Sequence, residues 1–251
     1  MKQIGIICVF LVVLVACSGK SAGKPEKMTE RETVNLQLGV RYLQQKDYRS
    51  AIDKLNKVLE TSPKLVVGHS MLGLAYSELD DYVSAERHFA IALQSANKKH
   101  KEFAEVNNSY GIFKCRQKEF VAAQAAFKQA YEHKAYSNVA RAYENAALCA
   151  QDEGDPVNAE RLFKLALTKQ PKMSRSLLAM AKIKIEAGQS LLGRAYVQRY
   201  EHSVIKPSAE GLWLGYKVEK QLKDEKRAGL YKAQLRSEYP GSEYLTQLDM
   251  Q

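Results

Sequence analysis

Apolar residues follow two different patterns along this chain, and the switch between them divides it. The first is an almost unbroken apolar run from Ile4 to Val15, preceded by Lys2 and closed by Ala16 and Cys17. A small, polar and basic stretch, Ser18 to Met28, follows. Beyond it the pattern becomes periodic. Small residues recur at Gly39, Gly73, Gly111, Ala147, Ala181 and Gly215, at intervals of 34, 38, 36, 34 and 34 residues. Twelve residues beyond each comes a second small residue, Ala51, Ala85, Ala123, Ala159 or Gly193, with Ala228 one residue late in the last unit. Four further on stand Leu55, Phe89, Phe127, Phe163 and Val197. Pro63, Pro171 and Pro240 close the first, fourth and sixth units. Each unit therefore predicts a pair of helices that approach closely at the small residues, and in three of the six a proline ends the pair.

The expected boundaries agree with this reading. Asp47, Asp81 and Asp155 stand at the same place in units one, two and four, where an Asp side chain accepts from the free N–H groups of a second helix. Pro156 then falls at a first helical position, where its missing N–H costs nothing. Units three and five carry Glu119 and Gln189 there, which are weaker caps. The stretch Asn97 to Lys101 absorbs the longer interval between units two and three as a basic turn.

The period and its small–aromatic–proline signature are those of the tetratricopeptide repeat. The expected fold is all-α: a right-handed superhelix, or solenoid, of six helix-turn-helix repeats with a concave groove. The first apolar run has the proportions of a signal peptide and is too short for a bilayer span of about 20 helical residues. Its end, Leu14-Val15-Ala16-Cys17, resembles the bacterial lipobox, whose Cys is acylated and becomes the mature N-terminus. Ser18 after it, in place of Asp, implies sorting to the outer membrane. The expected organisation is a signal peptide over 1–16, a lipidated N-terminus and flexible tether over 17–31, six repeats over 32–241 and a tail over 242–251.

Composition narrows the function classes. A 45% hydrophobic fraction excludes a wholly disordered chain, and four Cys in 251 residues are not a disulfide scaffold. The formal charge of +10 is spread over the tether, the turn at Lys98, Lys99 and Lys101, and helix surfaces. No aromatic-interleaved basic motif accompanies it, so no nucleic-acid partner is expected. Gly19-Lys20-Ser21 has Leu14 where a phosphate-binding loop needs Gly. His69, His88, His100, His133 and His202 are dispersed without metal-binding spacing, and there is no nucleophile elbow and no C-x-x-C. Carboxylate clusters such as Asp80-Asp81 fall at turns, where capping accounts for them. No enzyme activity, cofactor, metal or small-molecule substrate is expected. Cys115 and Cys149 fall in the first helices of adjacent units, where two buried thiols and a disulfide are both open.

Several segments exceed the generic repeat consensus: Leu38-Gly39 with Tyr42, Asn107-Asn108 with Tyr110-Gly111, Tyr143-Glu144-Asn145-Ala146, Leu212-Trp213-Leu214-Gly215 and Tyr239-Pro240-Gly241-Ser242. In these the chain resembles the type IV pilus biogenesis/stability lipoproteins of the PilF/PilW family, over roughly Val34 to Leu248. The resemblance implies a non-enzymatic pilotin, lipid-anchored to the periplasmic face of the outer membrane. Its implied partner is the secretin subunit, whose outer-membrane localisation and multimerisation it promotes. The family's two repeat cysteines fall at Cys115 and Cys149, so the resemblance favours a bridge. Groove positions on the first helices give Leu36, Val40 and Leu43 in unit one, Leu74 in unit two, and Asn108 and Ile112 in unit three. Leu36 and Val40 replace the Lys and Asn of the carboxylate-clamp subtype, so the groove suits an amphipathic helix or apolar segment. The alternative is a repeat scaffold for another envelope complex, such as one associated with peptidoglycan.

Overall fold

A computed structural model describes residues 28–249, and all structural statements concern these residues. The expected signal peptide, the expected lipidation site at Cys17 and most of the expected tether lie outside them. Six helix pairs follow one another in order: α1 (Glu30–Gln44) with α2 (Tyr48–Leu59), α3 (Val66–Glu78) with α4 (Tyr82–Ser95), and α5 (Lys101–Arg116) with α6 (Phe120–Tyr131). Then come α7 (Val139–Glu153) with α8 (Pro156–Lys169), α9 (Ser174–Glu186) with α10 (Ser190–Glu201), and α11 (Ala209–Gln221) with α12 (Glu225–Glu238). Each pair packs on the next, and the first helices also touch one another, α3 on α5, α5 on α7 and α9 on α11. The result is an all-α tetratricopeptide array.

The small residues do what their spacing implies. A Cβ at Gly73 would lie 2.8 Å from the Phe89 ring, and one at Gly111 would lie 2.7 Å from Phe127. Phe89 and Phe127 are fully buried, so the glycines let the second helix set an aromatic ring directly on the backbone of the first. The sixth unit shows how the late Ala228 is accommodated. Gly215 meets the Tyr231 ring, 16 residues on, the same separation as Gly73 to Phe89. One more residue before the turn is offset by one fewer between the cap at Asp224 and Tyr231, so the close contact stays and the turn shifts.

Every turn between paired helices is built alike. One residue takes positive φ, namely Lys46, Asp80, Lys118, Gly154, Gly188 or Lys223, and the helix cap follows it. Asp47, Asp81 and Asp155 accept from the backbone N–H of Ser50, Ser84 and Asn158 at 3.1, 3.1 and 3.0 Å. Asp224 caps the sixth unit in the same way. Glu119 and Gln189 make no side-chain cap bond.

Both ends of the array differ from the boundaries read in the sequence. The first helix starts at Glu30, because Thr29 and Glu32 form a reciprocal capping box. The segment assigned as a tail contains a short helix, α13 (Glu243–Asp249). Leu245 and Leu248, one turn apart, bury against Leu212 and Leu235. This covers the apolar face that the last pair of a solenoid would otherwise expose.

Different bonds hold successive units. Tyr48 donates to Glu78 between units one and two. Buried Lys114 pairs with Glu86 at 2.8 Å and Arg116 with Glu78 at 3.0 Å between two and three. Lys184 pairs with Glu160 at 2.6 Å between four and five, and Arg194 with buried Glu219 between five and six. Burial opposes the charge of Lys114, but hydrogen bonds to Glu86 and Glu119 hold its pKa above the usual lysine range. The middle junction is covalent: Cys115 and Cys149 form a disulfide with a Cα–Cα distance of 5.7 Å.

Candidate partner-binding groove

The inner face of the array is lined by the first helices of the units, and it falls into two parts on either side of the disulfide. On the N-terminal side Leu36, Val40 and Leu43 lie half-buried along α1. Leu74 on α3 packs against the cluster of Phe89 and Phe113. Asn108 on α5 is buried and accepts a hydrogen bond from the Asn145 amide at 3.0 Å. Ile112 is exposed at 38%. The six positions expected to line a groove thus lie on α1, α3 and α5, and two of them, Leu74 and Asn108, also hold the array together.

On the C-terminal side the inner face opens into a cleft of about 670 Å³ between α7, α9 and the α10–α11 connection. Its walls carry Leu148, Leu178 and Val204, and charged groups stand around them: Arg175 and Lys182 on α9, Asp152 on α7, Glu210 on α11. The wall formed by the connection is fixed. The Tyr200 hydroxyl accepts the Ser208 N–H at 2.8 Å and bonds its hydroxyl at 3.0 Å. Gly211 sits on the Tyr200 ring without room for a Cβ. Sequence reasoning stopped at unit three, although the signal continued: Val40, Leu74, Ile112, Leu148 and Lys182 each directly follow a repeat small residue.

One ionisable pair lies inside unit two. His69 on α3 and His88 on α4 share a hydrogen bond between their Nδ1 atoms at 2.9 Å, and the Nε2 of His69 bonds the Pro63 carbonyl at 3.0 Å. With Nε2–H donating to that carbonyl, Nδ1 of His69 is the acceptor, and His88 donates to it. Burial, reinforced by the facing His69 and by Arg87, lowers the His88 pKa to about 4. At neutral pH the His88 ring is uncharged, and it packs against His69 and stacks on Tyr76. Among the described residues no group of three or more His, Cys, Asp or Glu side chains could hold a metal ion. None of the described helices is long and apolar enough to cross a membrane.

Comparison with known proteins places this geometry. No protein-family profile matches the chain. An uncharacterised protein of Haemophilus influenzae is 32% identical over 149 residues, covering 59% of this chain and 80% of that one. The type IV pilus assembly protein PilF of Pseudomonas aeruginosa is 27% identical over 213 residues, 85% of this chain and 82% of the relative. The crystal structure of PilW, described as a widely conserved type IV pilus biogenesis factor, superposes with a TM-score of 0.74 at 28% identity, covering 88% of this chain and 99% of that one. The similarity therefore spans the array, including the junction bridged by Cys115 and Cys149.

Proposed function

The chain belongs to the PilF/PilW-like tetratricopeptide-repeat proteins, and on that premise we propose that it serves type IV pilus biogenesis as an outer-membrane pilotin lipoprotein. In this reading Cys17 carries the lipid that addresses the protein to the membrane. A single acyl chain anchors marginally and two or more hold firmly, as in mature lipoproteins. The inner face of the array grips the secretin subunit, and the protein delivers it for multimerisation. The observation that supports the reading is the match with the PilW structure, which covers 88% of this chain and 99% of the chain in that structure. The uncharged, aliphatic run Leu36, Val40 and Leu43 gives an apolar secretin segment somewhere to bind.

The test is the assembly state of the secretin. Deleting the gene is expected to abolish heat-resistant secretin multimers in envelope fractions. Leu36→Glu with Val40→Glu is expected to reproduce that loss while the protein still folds, as checked by circular dichroism. Normal multimers in the deletion strain would instead favour a scaffold for another envelope complex.

A further inference from the structure

The N-terminal groove does not account for the cleft at the other end of the array. Along α9, Arg175, Leu178, Ala179 and Lys182 follow the i, i+3, i+4, i+7 spacing of one helix face, and all four line the cleft. The two cations stand two helical turns apart, about 10 Å along the axis. They also differ from the buried and half-buried cations that join successive units. Lys114, Lys184 and Arg194 are each paired with a carboxylate of the neighbouring unit. Arg175 and Lys182 are exposed, and no carboxylate of the described residues lies within ion-pair distance of either. They hold nothing in the fold together.

We propose that this cleft is a second binding site, separate from the N-terminal groove, for a peptide segment bearing two carboxylates about 10 Å apart with an aliphatic side chain between them. The carboxylates pair with Arg175 and Lys182, and the aliphatic group enters between Leu148, Leu178 and Val204. An open inner face of a solenoid suits an extended or helical segment better than a compact small molecule. Asp152 and Glu210 on the flanking walls repel acidic groups from the rims, so the segment must place its carboxylates over α9 and nowhere else. The wall held by Tyr200 and Ser208 is already formed, so little ordering opposes binding.

The experiment is a selection of random displayed peptides on the immobilised full-length protein, followed by titration of the enriched sequences as labelled synthetic peptides. Paired acidic residues flanking an aliphatic one are expected. Their affinity should fall about tenfold or more in Arg175→Glu/Lys182→Glu and stay unchanged in Leu36→Glu/Val40→Glu. If the double α9 variant loses its thermal transition, Arg175→Gln and Lys182→Gln are used singly and should each weaken binding. Enrichment of basic or uncharged peptides, no enrichment, or binding unmoved by the α9 substitutions overturns the proposal. Binding lost in Leu36→Glu/Val40→Glu but kept in the α9 variant overturns it too, while leaving the secretin reading intact.

Discussion

The two halves of the inner face are made from the same repeat yet differ in what they leave unsatisfied. Units one to three present aliphatic and amide groups, and two of these are engaged with the fold: Leu74 against Phe89 and Phe113, Asn108 with Asn145. Units four to six present charges that the fold does not use. A side chain that completes packing is constrained by its own protein, whereas an unpaired Arg or Lys facing an open cleft is available to something else. Where structural and functional demands coincide, as at Leu74, a mutation cannot tell them apart. At Arg175 it can. The disulfide stands between the two regimes.

The comparison can be broken most severely at that boundary. The bridge closes a separation of 34 residues, so replacing both Cys115 and Cys149 by Ala is expected to cost about 3–4 kcal/mol. Urea unfolding followed by circular dichroism should show the loss. The halves should then unfold in two separable steps, because only neighbour contacts couple the units. A single unchanged transition would show that the halves are not held by the bridge.

Acid should weaken the N-terminal half first. The unfolded chain binds a proton at His88 near the ordinary value of 6.5, whereas the folded protein resists it down to about 4. Stability is therefore complete above pH 6.5 and declines as pH falls towards 4, by roughly 1–2 kcal/mol given the partial exposure of the ring. Hydrogen exchange at pH 7 and pH 5 should show α3 and α4 losing protection ahead of α9 and α10, and His88→Gln should remove the difference. The Glu32 carboxyl, held at about 2 by bonds from Ser62, Thr29 and Thr61, contributes in full above its ordinary 4.5 and is lost only as pH falls from there towards 2, so the two windows overlap only between about 4 and 4.5.

Smaller effects compare caps and turns. Asp47→Ala in the first half and Asp155→Ala in the second should each cost about 1 kcal/mol in thermal unfolding. Gln189→Ala, which breaks no cap bond at an exposed position, should be close to neutral. Lys118→Gly should stabilise by roughly 0.5 kcal/mol, since Lys118 holds φ at 61° where glycine is unstrained. Equal losses at Asp155 and Gln189 would mean that the caps do not set these boundaries.

Much of this architecture is legible in the chain because a repeat states each rule several times. Gly73 and Phe89 alone would say little; with Gly111 and Phe127 at the same separation they specify a contact. Features that occur once are harder to read. His69 and His88 are 19 residues apart with nothing to link them until α3 and α4 pack. The bridging of Cys115 and Cys149 depends on an approach that spacing alone does not give. Leu245 and Leu248 make too short a pattern to announce a helix until Leu212 and Leu235 are beside them. Arg175 and Lys182 look like any solvated helix face, because what distinguishes them is the absence of a partner in space. The late Ala228 is the reverse case: a visible irregularity that leaves the Gly215–Tyr231 contact intact.

The disulfide also bears on how the molecule would respond to being pulled. If force is applied through the ends of the array, the chain between Cys115 and Cys149 cannot lengthen, however completely α6 and its neighbours unravel. An extended residue spans at most about 3.3–3.6 Å, so the locked loop withholds roughly 110–120 Å of contour from the stretched protein. A reducing agent would release that length in one step, which makes the central junction the point where a mechanical load passes from one half to the other without give.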